Sequence, residues 1–131
     1  MSRKNVEVVR RAVEAWSRGD SKAVVADFAA EGVVDLSRAM GPAQGTYSHE
    51  AAREIWDDFA EAWQAMRIEC DEFVEVDDKV VTPLTLHARG RGGIQTDAKP
   101  TWVWTLRHQQ VIRAEMYQSR DEALEAVGLR E

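Results

Sequence analysis

The chain has 131 residues, 44% of them hydrophobic and 31% charged, a balance that excludes wholesale disorder and suits one domain over 1–131 with a sizeable core. Its formal net charge is -6, from 23 acidic and 17 basic residues, and apart from Arg89 and Arg91 it has no basic cluster, which argues against a nucleic-acid partner. The single cysteine, Cys70, cannot close an intramolecular disulfide, no apolar run is long enough for a membrane span, and no apolar core follows Met1 to Lys4 as in a signal peptide. A cytoplasmic, soluble protein with no membrane contact is therefore expected.

In chain order, Val6, Val9, Val13 and Trp16 recur at helical spacing and predict a helix from about Lys4 to Arg18. Gly19 stops it, and Asp20 or Ser21 caps a second helix that runs to about Ala29 and buries Val24, Val25 and Phe28. Glu31-Gly32 reads as a turn, Val33 to Leu36 as a short strand, and 37–47, with Gly41, Pro42 and Gly45, as a loop. Ser48 caps a third helix that buries Ile55, Trp56, Phe59 and Trp63. Beyond Met66 the period changes to two. Strands are predicted at about Arg67 to Val76, Lys79 to Arg91, Thr96 to Arg107 and Val111 to Ser119, with turns at Asp77-Asp78, Gly92-Gly93 and His108 to Gln110. A last helix, Asp121 to Val127, ends at Gly128.

Helices followed by an antiparallel meander imply an α+β fold, a curved sheet wrapped around the N-terminal helices and enclosing a cone-shaped hollow. Pro83 falls within a strand and predicts a bend or bulge there. Because side chains alternate across a strand, each run makes two surfaces. Val81, Pro83, Thr85, His87 and Arg89 form one side of their strand, and Trp102 and Trp104 one side of theirs. Taken together, these polar and aromatic residues read as the lining of a small-molecule pocket. Trp16, Trp56 and Met116 would close its deep end, and Gln118 or Tyr117 could add a polar contact. The opposite face would then be Thr82, Leu84, Leu86 and Ala88 beside Thr101, Val103 and Thr105. Such an exposed, uncharged patch predicts a two-fold homodimer through the open sheet face.

Several segments resemble the SnoaL-like branch of the nuclear transport factor 2-like superfamily. They are Val13 to Asp20, Phe28 before Val33 to Leu36, Gly45-Thr46-Tyr47 leading into the third helix, Arg89 to Gly93, Trp104 to Arg107, and the closing Arg120 to Leu129. The resemblance covers nearly the whole chain and implies the same cone-shaped fold. It also implies relatives as different as ketosteroid isomerases, polyketide cyclases, limonene epoxide hydrolases and domains without catalysis. Carried over residue by residue, the isomerase pattern wants a tyrosine where this chain has Ala12, a catalytic aspartate near Asp35 or Leu36, and a second acid where it has Trp102. Only Asp35 answers, so steroid isomerisation by that mechanism is not expected.

The candidate chemistry is acid/base. His87 could act as a general base or acid, and Arg89 could hold a carboxylate or enolate oxygen. Asp35, if it faces inward among apolar helices, would have a raised pKa and serve as a base; facing outward it would be an ordinary strand aspartate. Gly90 to Gly93 joins two strands and is a hairpin turn, not a phosphate loop. His49, His87 and His108 are scattered, so neither a metal nor another cofactor is expected. The reading is a protein that binds a small, mostly apolar organic molecule. Asp35, His87 and Arg89 are its candidate catalytic groups, for isomerase, cyclase or hydrolase chemistry. Trp16, Trp56, Thr85, Trp102, Trp104, Met116 and Gln118 are the candidate ligand contacts. The alternative is a ligand-binding or dimerisation domain without chemistry.

Overall fold

The computed structural model describes residues 3–39, 44–90 and 92–128; the predicted loop residues Gly41 and Pro42, the strand end Arg91, and Leu129 lie outside the described residues. Helix α1 (Arg3–Ser17) follows its predicted stripe, with Val9 and Val13 buried and Val6 and Trp16 packed at the edge of the core. Helix α2 (Ser21–Val24) is capped by Asp20, whose carboxylate accepts the Ala23 N–H at 3.1 Å. It ends at Val24, not near Ala29.

The residues after it enter strand β1 (Phe28–Asp35), because β8 (Gln110–Tyr117) offers a parallel partner: Phe28 aligns with Val111 and Val34 with Ala114. The pairing overrides the helix preference of Ala29 to Glu31. The predicted turn at Glu31-Gly32 is instead an irregularity inside β1, where the register shifts between Phe28 and Val33. A side chain at Gly32 would meet the Phe28 ring and the Val111 carbonyl oxygen, each at 2.9 Å, so only glycine permits this close approach.

A short strand β2 (Thr46–Ser48) pairs with the other edge of β1, at the end of the segment predicted as loop and including the predicted cap Ser48. Ser48 then caps α3 (His49–Ala62), its hydroxyl accepting the Ala51 N–H at 3.2 Å. Trp63 does not continue that helix. Its backbone is extended, and it opens β3 (Trp63–Cys70) while its ring stays against Phe59, with centroids 5.9 Å apart.

The remaining strands are β4 (Val74–Val76), β5 (Lys79–Gly90), β6 (Gln95–Ala98) and β7 (Thr101–Arg107), followed by helix α4 (Arg120–Ala126). Two predicted strands are each split in two, and both breaks lie opposite Pro83 in the long strand β5. Before it β5 pairs with β4 and β7, and beyond it with β3 and β6. Proline lacks the N–H that would continue a ladder, so partners on both sides change there. The sheet runs in the order β2-β1-β8-β7-β5-β3 and is curved and open, with α1 and α3 against one face. Helix α4 covers part of the other face, packing Ala123 and Leu124 on Val81, Val103 and Tyr117.

Cross-strand register decides which faces coincide. Thr82 lies directly opposite Trp102 and Val80 opposite Trp104, so these four share one face. The predicted grouping of Trp102 and Trp104 with Val81, Pro83, Thr85, His87 and Arg89 is therefore wrong by one residue of phase. Thr82, Leu84 and Leu86 belong with the tryptophans. Val103 and Val81 lie on the other side, where α4 packs on them. The exposed aliphatic and threonine patch inferred from the sequence does not exist in that form.

Candidate functional site

Where α1, α3 and the concave sheet face meet there is an apolar pocket of about 230 Å³. Helix α1 contributes Trp16, α3 contributes Ile55, Trp56 and Phe59, and the sheet contributes Ile68, Leu84, Leu86, Trp102 and Met116. Leu36, Ala39 and Pro100 complete its lining. The helical residues reach it because Ile55 and Trp56 lie four and three residues before Phe59, the offsets of one helical face of α3. Three indoles form one wall: Trp16 stands 5.2 Å from Trp102 in an edge-on arrangement and 5.4 Å from Trp56, and Trp56 lies 6.3 Å from Trp102. Edge-on and tilted contacts of this kind add about 0.5–1.5 kcal/mol per pair beyond the area they bury.

Of the candidate ligand contacts, Trp16, Trp56, Trp102 and Met116 line the pocket. Trp104 is fully buried behind Trp102, their centroids 6.1 Å apart, and its indole N–H donates to the Thr82 hydroxyl at 2.9 Å. That hydroxyl in turn donates to the Trp102 carbonyl at 3.1 Å, so the one polar side chain of β5 on this face is fully used. Gln118 is exposed and donates from Nε2 to the Arg38 carbonyl at 2.6 Å, next to the lining residue Ala39.

The other predicted residues lie on the far side of the sheet. The Thr85 hydroxyl donates to the Asp71 carboxylate at 3.1 Å. His87 sits between two carboxylates, Nδ1 at 2.8 Å from Asp97 and Nε2 at 3.5 Å from Glu69, and Arg89 is exposed beside it. This surface is a polar cross-strand ladder in which Arg67, His87 and Asp97 are aligned. None of the three lines the apolar pocket.

Asp35 is buried but also faces away from the pocket, since Val34 and Leu36, its neighbours in the strand, are the residues that enter the core. Its carboxylate accepts from Arg113 Nη2 at 2.8 Å and from the Ser37 N–H at 2.9 Å, with Arg38 at 3.6 Å. Burial alone would raise its pKa. The hydrogen bonds of Ser37 and the charges of Arg38 and Arg113 outweigh it and hold the carboxyl below the ordinary value. The expected buried base with a raised pKa is thus an ion-paired carboxylate. Arg38 also pairs with Glu115 and lies 4.0 Å above the Tyr117 ring, so these groups form one network on the outer face.

Sequence reasoning assigned Leu84 and Leu86 to the wrong face and did not single out Leu36, Ala39, Ile68 or Pro100. Nothing in the alternation of a single strand shows which of its faces meets the helices; the pairing of Thr82 with Trp102 would have shown it. Among the described residues no cluster of three or more His, Cys, Asp or Glu side chains could hold a metal ion. None of their helices is long and apolar enough to cross a membrane. A larger hollow of about 810 Å³ lies beside α3, walled by Glu50, Arg53, Glu54 and Asp57. All four are exposed, and Arg53 and Asp57 already share the Ser21 hydroxyl, so it is a solvated surface depression rather than a ligand site.

The curved open sheet with its N-terminal helices places the chain in the nuclear transport factor 2-like, or ketosteroid isomerase-like, class of folds. TerC, whose crystals contained polyporic acid, superposes with a TM-score of 0.77 over 95% of this chain and 98% of its own, at 20% identity. A protein of Catenulispora acidiphila with a ketosteroid isomerase-like fold, in complex with trimethylamine, gives 0.74 over 94% and 93%, at 16% identity. RV0760c of Mycobacterium tuberculosis, in complex with estradiol-17beta-hemisuccinate, gives 0.74 over 90% and 95%, at 15% identity. The chain belongs to the SnoaL-like domain family, whose profile matches residues 9–114. No curated protein matches it in sequence.

Proposed function

We propose that the protein binds a compact, uncharged, apolar ring compound in the indole-walled pocket and carries out no acid/base chemistry there. The observation that carries this reading is the character of the lining: among the described residues, every side chain around the pocket is apolar or an indole. General acid/base catalysis needs a titratable group within hydrogen-bond reach of the reacting atoms. Asp35 and His87 are instead engaged with ionic partners on the opposite face. Size narrows the ligand further. A cavity of about 150 Å³ accepts benzene, so about 230 Å³ suits one or two rings and is too small to enclose a four-ring steroid.

That related folds have been crystallised with polyporic acid and with a steroid ester supports small-molecule binding as a use of this architecture. It does not supply the ligand. A homodimer through the sheet face, expected from the sequence, would use the part of that face that α4 leaves open, since α4 covers Val81 and Val103. Light scattering on the purified chain decides that point.

The test is calorimetric titration with naphthalene as probe. Saturable binding with a negative heat-capacity change is expected, lost in Ala39→Phe, which fills the lining, and kept within about twofold in His87→Gln. Absence of saturable binding, or equal binding by Ala39→Phe, would rule the pocket out. A large loss in His87→Gln would return the acid/base reading to consideration.

A further inference from the structure

The pocket lining divides by exposure. Trp56, Ile68, Leu84 and Trp102 are buried, whereas Ala39, Ile55, Phe59 and Pro100 are half-buried and mark the side nearer solvent. Leu36 and Ala39 come from the turn after β1, and they are held by different means. The Leu36 N–H donates to the Gly45 carbonyl at 2.7 Å and so continues the pairing of β1 with β2. Ala39 lies beyond that pairing, and its N–H donates locally, to the Leu36 carbonyl at 3.0 Å. What fastens residues 37–39 to the end of β8 is Arg38. Its Nη1 donates to the Met116 carbonyl at 3.3 Å, Nη2 lies 3.8 Å from the Glu115 carboxylate, and the guanidinium carbon stands 4.0 Å above the Tyr117 ring. Its own carbonyl accepts from Gln118 Nε2 at 2.6 Å. Among the described residues no other hydrogen bond or ion pair joins 37–39 to that end of the sheet. The guanidinium works from the outer face, but Ala39 and Met116, on either side of the joint, both line the pocket.

We propose that Arg38 is a positioning residue that sets the size limit of the ligand without touching it, by clamping the Ala39 wall to β8 and so closing the pocket to frames larger than two rings. The inference rests on the proposed binding site. A wall excludes a larger molecule only when displacing it costs more than the added apolar contact gains, so what holds the wall decides the selectivity. Each contact of Arg38 is modest by itself, because its side chain is 35% exposed. They act together because one planar fork makes them all and loses little further freedom for each bond added. A lysine ammonium is a compact charge with no plane to lay over Tyr117, and it cannot reproduce the set. Asp35 is not needed for the clamp, since its short ion pair, 2.8 Å, is with Arg113 and its distance to Arg38 is 3.6 Å. Removing Arg38 strands neither carboxylate, because Arg113 also lies 3.4 Å from Glu115. A variant without the guanidinium is therefore expected to fold.

The experiment is equilibrium dialysis of the parent and its variants against naphthalene and phenanthrene, a two-ring and a three-ring frame. The parent should prefer naphthalene by about tenfold. Arg38→Met should weaken naphthalene and strengthen phenanthrene, narrowing that ratio by about fivefold, and Arg38→Lys should do the same. Gln118→Leu, which removes only the bond to the Arg38 carbonyl, should narrow it by less, and Asp35→Asn should leave it as it is. A ratio of two affinities does not change with the fraction of chain folded, so a general loss of stability would not move it. Hydrogen exchange in the ligand-free protein gives a second readout: the Ala39 N–H should exchange about tenfold faster relative to that of Leu36 in Arg38→Met. An unchanged ratio in Arg38→Met, or a parent that takes both frames equally, would overturn the clamp and leave the apolar pocket intact. Parent-like selectivity in Arg38→Lys would overturn the part assigned to the guanidinium plane. Failure of the parent to bind naphthalene would overturn the pocket and the size limit together.

Discussion

A buried carboxylate serves as a base near neutrality when its pKa is raised, and Asp35 shows why burial alone does not achieve this. Its side chain is 6% exposed, but Arg113, Arg38 and the Ser37 N–H supply more stabilisation of the anion than desolvation removes. A lowered folded-state pKa means the unfolded chain binds the proton more tightly. The Asp35 contribution is therefore present above the unfolded value of 3.8 and is lost as pH falls through the still lower folded value. Asp35→Asn should lower unfolding stability by roughly 1–3 kcal/mol at pH 7, and the gap from the parent should begin to narrow once the pH falls below 3.8. A series of urea titrations from neutral to acid pH checks this; a gap that stays constant throughout the acid range would contradict the ionic account. Ligand affinity at neutral pH should be unchanged, because the carboxylate lies on the other face of the sheet.

At the scale of elements, β1 and β5 show the limits of local pattern. The stretch from Phe28 to Asp35 holds helix formers and an apparent turn, yet it runs as one irregular strand beside β8. Gly32 makes that possible, since the Val111 carbonyl it approaches is backbone and cannot rotate away. Gly32→Ala should cost roughly 1–3 kcal/mol and lower Tm by several degrees in a thermal melt; an unchanged Tm would show that β1 has slack there. In β5, alternation was read correctly within the strand, but its phase relative to β7 was not. One residue of register moves every side chain to the other face, and here it exchanges Leu84 and Leu86 for Thr85 and His87 at the pocket.

For the molecule as a whole, α4 closes an account the sequence left open. Without it the sheet would expose Val81, Val103 and Tyr117, an apolar patch of the kind that invites association. With it, the described residues leave a single large hydrophobic side chain, Ile94, well exposed, at 67%. Leu124→Asp should lift α4 off the sheet. The expected result is loss of roughly 2–4 kcal/mol of stability together with concentration-dependent self-association in light scattering. A variant as stable and as dispersed as the parent would show that α4 is not the cover described.

How much was legible follows from the range of each signal. The three long helical and strand regions and the cap at Ser48 are set by neighbours within a few residues, so the sequence by itself determined them, with the earlier cap narrowed to Asp20 or Ser21. The α+β class and the aromatic character of the site followed from the order of those elements. Only the tertiary structure decided which face of β5 meets Trp102, that Asp35 is paired with an arginine 78 residues away, and that His87 sits between strands instead of in the pocket. Each of these depends on cross-strand register and on charges brought together by folding. Alternation along one strand carries no information about phase between strands, and a pKa is set by neighbours in space.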